Sequence, residues 1–158
     1  MIITRELPRD RWRRVLDDLS RLHGGATVQL QVLDEEHGVH AYGGTLRLVG
    51  LASDGLAGRE AISATLEAGA GVHLTHTIDN PRTVRIELLW ESRTANIQIT
   101  DAEGRPTLIC LGPPLLADGV ERGLVDGINE SGAGSYRRRE NLAESAGSSA
   151  LVPFRPQS

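Results

Sequence analysis

Residues 84–91 read VRIELLWE and residues 95–100 read ANIQIT, and these two stretches decide the fold class. In the first, apolar residues alternate mostly with charged ones; in the second, they alternate with polar ones. An alternation with a period of two is typical of a β-strand that buries one face. Only residues 92–94 separate the two stretches, so the pattern predicts an antiparallel hairpin.

Further strands are predicted on both sides of this hairpin. Their segments are 27–33, 45–51, 60–67, 72–78 and 107–111. Alanine and glutamate in 60–67 would also permit a helix, and the turn signal Ser53-Asp54-Gly55 closes the segment before it. Because the strands follow one another with short turns, we expect a mainly antiparallel sheet, a meander of about six or seven strands.

One amphipathic helix is predicted near the N-terminus, from about Pro8 to His23. Pro8 suits the first helical position, where its missing N–H is no loss, and Gly24-Gly25 provide a left-handed stop. A helix packed on one face of an antiparallel sheet gives an α+β fold. Apolar residues spaced three or four apart form its buried face: Trp12, Val15, Leu16, Leu19 and Leu22. Trp12 is expected to be buried between helix and sheet.

The composition changes near residue 117, where glycine, serine and alanine become frequent. Val120, Leu124 and Ile128 recur every four residues, as in a short helix, but glycines at the same spacing disfavour one. We expect a single α+β domain over residues 1–116 and a mostly disordered tail over residues 117–158. A helix in this tail would form only on the surface of a partner.

Charge and cysteine content exclude several classes of protein. The 158 residues carry 17 basic and 21 acidic side chains, a net charge of −4, which argues against a nucleic-acid partner. The basic cluster Arg137-Arg138-Arg139 has acidic neighbours. Cys110 is the single cysteine, so no disulfide forms within the chain.

Residues 1–6, MIITRE, do not resemble a signal peptide, and no apolar run reaches 18 residues. We expect a cytoplasmic protein with no membrane partner.

Two H-x-x-H spacings, His37/His40 and His73/His76, are the main candidates for a metal site. Such a pair shares a face on a helix but points to opposite faces on a strand, and neither segment has a helical pattern. A site that combines His37 or His40 with His73 and a carboxylate stays open. We expect no metal ion and no cofactor. His76 lies on the apolar face of its segment and is predicted to be a hydrogen-bonded core histidine.

The sequence contains no recognisable catalytic motif. G-x-S-x-G does not occur, and a P-loop is excluded because the chain has no lysine. Cys110 is predicted in an apolar strand, where a thiol is usually unreactive. The adjacent acids Asp17-Asp18 and Glu35-Glu36 have diverging side chains and do not suit a catalytic pair. No catalytic, cofactor-binding or metal-binding residue is therefore assigned.

Several short motifs resemble those of a family of small bacterial proteins whose function is unknown. They are Trp12 with Leu19-Ser20-Arg21 and Gly25, LRLVGL at 46–51, LTH at 74–76, NPRTV at 80–84, and IQITDAEG at 97–104. Together they span about residues 5–116. The chain departs from this family at residues 52–55, where ASDG replaces a more acidic turn, and in its tail. The resemblance implies a shared fold and brings no activity, ligand or functional residue.

These observations favour a non-enzymatic domain that acts through protein–protein contacts or self-association. Leu33 and Leu89 lie off the main core face, and we expect a homodimer that covers them. The alternative is an enzyme or small-ligand binder whose site is assembled from separate strands around His37, His40 and His73. An Sm-like RNA-binding barrel is a second alternative. The acidic charge and the lack of an aromatic platform argue against it.

Overall fold

Eight strands, one turn of 3₁₀ helix and one α-helix make up the residues that the computed structural model describes, 1–56 and 58–115. In chain order they are β1 (Ile2–Leu7), the 3₁₀ turn (Arg9–Arg11), α1 (Trp12–His23), β2 (Thr27–Asp34), β3 (Gly38–Leu56), β4 (Arg59–Glu67), β5 (His73–Asp79), β6 (Pro81–Leu89), β7 (Thr94–Asp101) and β8 (Pro106–Leu111). All strand pairs are antiparallel, as predicted. The predicted tail, 117–158, lies outside the described residues. None of the described helices is long and apolar enough to span a membrane.

The sheet is not the simple meander of six or seven strands that the pattern predicts. Its eight strands lie in the order β1-β6-β7-β8-β2-β3-β4-β5. Only Asn80 joins β5, at one end of this order, to β6, near the other, so the sheet must curl until its ends approach. The Asn80 N–H donates to the Glu60 carbonyl and the Asn80 carbonyl accepts from the Ala102 N–H, both at 2.9 Å. These hydrogen bonds join β4 to the β7–β8 turn through Asn80 and hold one end of the curled sheet together.

β3 is much longer than predicted. The expected segment 45–51 is the middle of a 19-residue strand, and the turn signal Ser53-Asp54-Gly55 lies inside it. The first part of β3 pairs with β2 and the rest with β4. The register against β2 shifts by two residues between Tyr42 and Leu46, and such a bulge lets a strand bend. The two parts of β3 therefore belong to the two halves of the curled sheet.

Helix α1 docks against β3 beyond the last β2 pair. Its left-handed stop at Gly25 (φ +80°) is confirmed. The Gly25 N–H donates to the Leu48 carbonyl at 2.8 Å, and the Leu48 N–H donates to the Ala26 carbonyl at 2.9 Å. The Ser20 Oγ accepts from the Leu51 N–H at 2.7 Å. The helix end thus takes the place of a neighbouring strand.

The core is almost entirely aliphatic, as the composition requires. The burial of Trp12 is confirmed: it is 3% exposed, and its Nε1 donates to the Leu7 carbonyl at 3.0 Å. Strand β1 is not predicted by the sequence pattern, although Ile3 and Leu7 face the core. Arg5 stands between them on the same face, opposite Ile86 of β6, and breaks the apolar alternation.

Candidate functional site

The two halves of the curled sheet meet at the rings of Tyr42 and His76, whose centroids are 6.2 Å apart. Tyr42 lies opposite Leu30 and His76 lies opposite Ala64, and directly opposed residues share a face of the sheet. Both rings are therefore on the core side, but Tyr42 is exposed and His76 is half-buried. They mark a rim where the core opens to solvent. Burial lowers the pKa of His76, which favours the neutral imidazole.

The β2–β3 hairpin brings three polar side chains together beside this rim. Asp34 pairs with Gly38 (φ +77°), and only residues 35–37 form the loop. The loop places the His37 Nδ1 3.3 Å from the Asp34 Oδ2. The ring centroids of His37 and His40 are 6.0 Å apart. One ligand atom from each of Asp34, His37 and His40 lies within 4.8 Å of the others. The inference that this H-x-x-H pair cannot meet outside a helix is wrong, because a tight turn brings it together.

Asp34 is the member of this cluster that the sequence reasoning missed. Its Oδ1 accepts the Glu36 N–H at 2.9 Å. This hydrogen bond, followed by the one to His37, lowers the pKa of Asp34. An aspartate at the end of a strand, with a glycine four residues later, is the signal that could have indicated the turn. The result is a carboxylate and two imidazoles on one exposed turn.

The remaining histidines lie elsewhere. His73 is exposed at the start of β5, opposite Glu67, and within the described part of the chain it does not join the cluster of His37 and His40. His23 is 2% exposed at the end of α1, and its Nδ1 donates to the Gly112 carbonyl at 2.8 Å. His23 therefore has a structural role, holding the end of β8 against the helix.

An arginine-lined cavity of about 490 Å³ lies where Asn80 fastens the curled sheet. Two of its guanidinium groups are engaged by the protein. Arg9 pairs with Glu60 and stacks on Trp12 at 4.5 Å, and Arg82 donates to the Ala102 carbonyl at 3.2 Å. Arg9 and Arg82 therefore stabilise the junction between the two ends of the sheet and do not point to an anion-binding site.

A second cavity, of about 430 Å³, contains Cys110 on the outer face of the sheet. Cys110 lies opposite Gln29 and Asn96, away from the aliphatic core, and is half-buried. Burial, with a smaller effect from Glu87, raises the pKa of the thiol. The thiol is thus protonated at neutral pH, and its low reactivity stays a prediction.

Strand β5 has one edge with no partner strand among the described residues. The ladder to β4 is flanked by bonds from the Asn80 N–H to Glu60 and from the Ala68 N–H to Val72. Hydrogen-bonded and non-hydrogen-bonded pairs alternate in an antiparallel ladder. The odd-numbered residues of β5 therefore direct their main-chain groups to the free edge. They are His73, Thr75, Thr77 and Asp79.

Leu33 and Leu89, the two leucines expected to lie off the main core face, are far apart on the sheet. Both lie on the outer face, where Leu33 is 40% exposed and Leu89 is half-buried. The registers place Leu89 level with Thr27 at the beginning of β2, whereas Leu33 is near its end. Six residues of strand, roughly 20 Å, separate the two. The homodimer that covers both leucines stays a prediction, and its interface would have to extend over this distance.

A model of DUF5335, a family of unknown function, matches residues 3–120. The chain belongs to this family. The predicted resemblance to a family of unknown function is thereby confirmed. Within this DUF5335 domain, the motif residues Ser20, Gly25 and Asn80 bond to main-chain groups that hold the helix and the curled sheet in place. These parts of the motifs are explained by the fold.

No curated protein matches the chain. Among solved structures, the crystal structure of the Bacillus subtilis YojF protein is similar to it, with 10% sequence identity and a TM-score of 0.43. The similarity covers 72% of this chain and 98% of that one.

Proposed function

We propose that this domain is a non-enzymatic contact module that associates with a second copy of itself through β5. The free edge of β5 carries the proposal. Exposed strand edges are usually blocked by charges, prolines or bulges. β5 has no proline, lysine or arginine, and Asp79 at its end is its only acid. The opposite edge strand, β1, carries Arg5 and Glu6.

The sequence of β5 suits pairing with itself about a twofold axis. With the axis at His76, all seven residues find a partner and the outward main-chain groups face each other. In this register Thr75 lies opposite Thr77 of the second copy, and His73 lies opposite its Asp79. The ends of the strand then pair an imidazole with a carboxylate, which favours association over repulsion.

Two side chains that could act as nucleophiles, Cys110 and Ser20, are not activated by their surroundings. Burial keeps Cys110 protonated, and the Ser20 Oγ is bonded to the main chain of Leu51. The alternative, a small-ligand binder, is favoured by the convergence of Asp34, His37 and His40. RNA binding gains no support, since the net charge is −4. A cytoplasmic location stays a prediction.

Sedimentation equilibrium of the full chain and of the Thr75→Pro variant tests the pairing. Proline removes an edge N–H that does not bond to β4, so the domain should fold while each dimer loses two hydrogen bonds. We expect a dimer of the parent in the micromolar range and at least about tenfold weaker association of the variant.

Thr75→Val is the matched control. It removes the hydroxyl, whose oxygen lies 3.4 Å from the Thr65 Oγ1, but keeps the N–H. It should associate like the parent. A parent that is monomeric throughout the micromolar range, or a Thr75→Pro variant that associates as well as Thr75→Val, would contradict the proposal.

A further inference from the structure

The β2–β3 hairpin presents Asp34, His37 and His40 to one point in space. Asp34 and His40 share a face, because Asp34 is opposite Gly38 and His40 is opposite Val32 in the same ladder. His37, in the loop, turns back to that face, where its Nδ1 is 3.3 Å from the Asp34 Oδ2. Three side chains from seven consecutive positions therefore converge without a helix.

Their spacing fits a single metal ion. When metal–ligand bonds are about 2.0–2.1 Å, two ligand atoms of a tetrahedral site lie about 3.3 Å apart. The Asp34–His37 pair has this separation already, and all three ligand atoms lie within 4.8 Å of one another. Both imidazoles are exposed at the hairpin tip, so little packing opposes the reorientation of His40 that would complete the set.

The Asp34 carboxylate is oriented for this role. Its Oδ1 accepts the Glu36 N–H at 2.9 Å, which leaves Oδ2 directed at His37. Second-shell bonds of this type fix the ligands of protein metal sites. Two imidazoles and one carboxylate are the donors preferred by Zn²⁺ and its neighbours rather than by Mg²⁺ or Ca²⁺.

We propose that Asp34, His37 and His40 bind one divalent transition-metal ion, of the Zn²⁺ class, with the remaining coordination positions open to solvent. This assigns a metal site where the sequence analysis expected none. Three protein ligands with an open position leave room for a water molecule or a donor from a bound molecule. The proposal is independent of the pairing through β5.

Titration of the full, untagged chain with Co²⁺ and Zn²⁺ tests the site. The chain has five histidines, all before residue 77, and one cysteine, so few other strong ligands compete. We expect one equivalent of Co²⁺ to give the visible absorption bands of a low-symmetry site and Zn²⁺ to displace it. His37→Ala, His40→Ala and Asp34→Asn should each weaken binding at least about tenfold, since even outer-shell changes cost ten- to a hundredfold.

His73→Ala is the matched control, because His73 is an exposed histidine outside the cluster. It should bind Co²⁺ like the parent, as should Thr75→Pro, which leaves the three ligands in place. If Co²⁺ gives no absorption bands and Zn²⁺ gives no binding heat, the three side chains of the turn do not bind a metal ion. Binding that survives in His37→Ala and His40→Ala, or that is lost in His73→Ala, would place the ion elsewhere. Either result overturns the proposal.

Discussion

Ser20, Asn80 and Asp101 each satisfy main-chain groups that no strand partner reaches. Ser20 bonds to Leu51 beside the irregular part of β3, and Asn80 bridges β4 and the β7–β8 turn. Asp101, 8% exposed, accepts the N–H groups of Glu103 and Arg105 at 2.9 Å. Burial opposes ionisation of this carboxylate, but these hydrogen bonds lower the pKa of Asp101 overall. The side chains of Ser20 and Asp101 and the main chain of Asn80 therefore hold segments that strand pairing alone does not reach.

His76 should make the stability of the domain depend on pH. Burial lowers the pKa of His76 below its ordinary value of 6.5. The unfolded chain then takes up a proton at this position before the folded chain does. As the pH falls from about 7.5 to about 5.5, the free energy of unfolding should decrease, starting near the ordinary pKa. Urea unfolding of the parent and of His76→Gln at both pH values measures this contribution.

The glutamine variant should lose less stability on acidification than the parent, because its side chain does not titrate. His73→Gln, at the exposed histidine of the same strand, is the control. It should lose as much stability on acidification as the parent does, because His76 is intact. If the parent and His76→Gln lose equal stability between the two pH values, the partial burial of His76 has no energetic consequence.

At the scale of elements, the sequence predicted the helix and the strands in which the apolar residues coincide with the buried positions. The helix and six strands were predicted within a few residues of their observed bounds: α1, β2, β4, β5, β6, β7 and β8. β1 was missed because Arg5 occupies one of its core-facing positions. The first part of β3, residues 38–44, was missed because its core-facing His40 and Tyr42 lie at the open rim and give no apolar alternation. The same stretch carries His40, one of the three residues of the candidate cluster.

Ser20→Ala tests the docking of α1 on β3. The change leaves the buried Leu51 N–H without its 2.7 Å acceptor, an effect that costs about 1–3 kcal/mol. The better helix propensity of alanine returns at most about 0.5 kcal/mol. We therefore expect a lower free energy of unfolding in urea.

Asp17→Ala, at an exposed position of the same helix, is the control and should be nearly neutral or slightly stabilising. A Ser20→Ala variant as stable as Asp17→Ala would show that the side chain does not support the β3 main chain.

At the scale of the whole molecule, strand partners could not be predicted from periodicity. Alternation identifies a half-buried strand but not its neighbour, and β8 with β2 and β1 with β6 pair across long stretches of chain. These pairings turn the predicted meander into a curled sheet. The curl then brings Tyr42 from one half against His76 from the other. Asp34, His37 and His40 converge for a more local reason, which is the register of one hairpin.

The curled sheet leaves β5 at its edge, and association through that edge is the central claim about function. Amide hydrogen exchange measured at several concentrations of the full chain tests it most directly. The Thr75 and Thr77 N–H groups point away from β4 and should exchange fast in a dilute monomer. Pairing would protect both as the concentration rises, whereas the His76 N–H, bonded within the sheet, should be protected throughout. Fast exchange at Thr75 and Thr77 that does not change with concentration would contradict the claim.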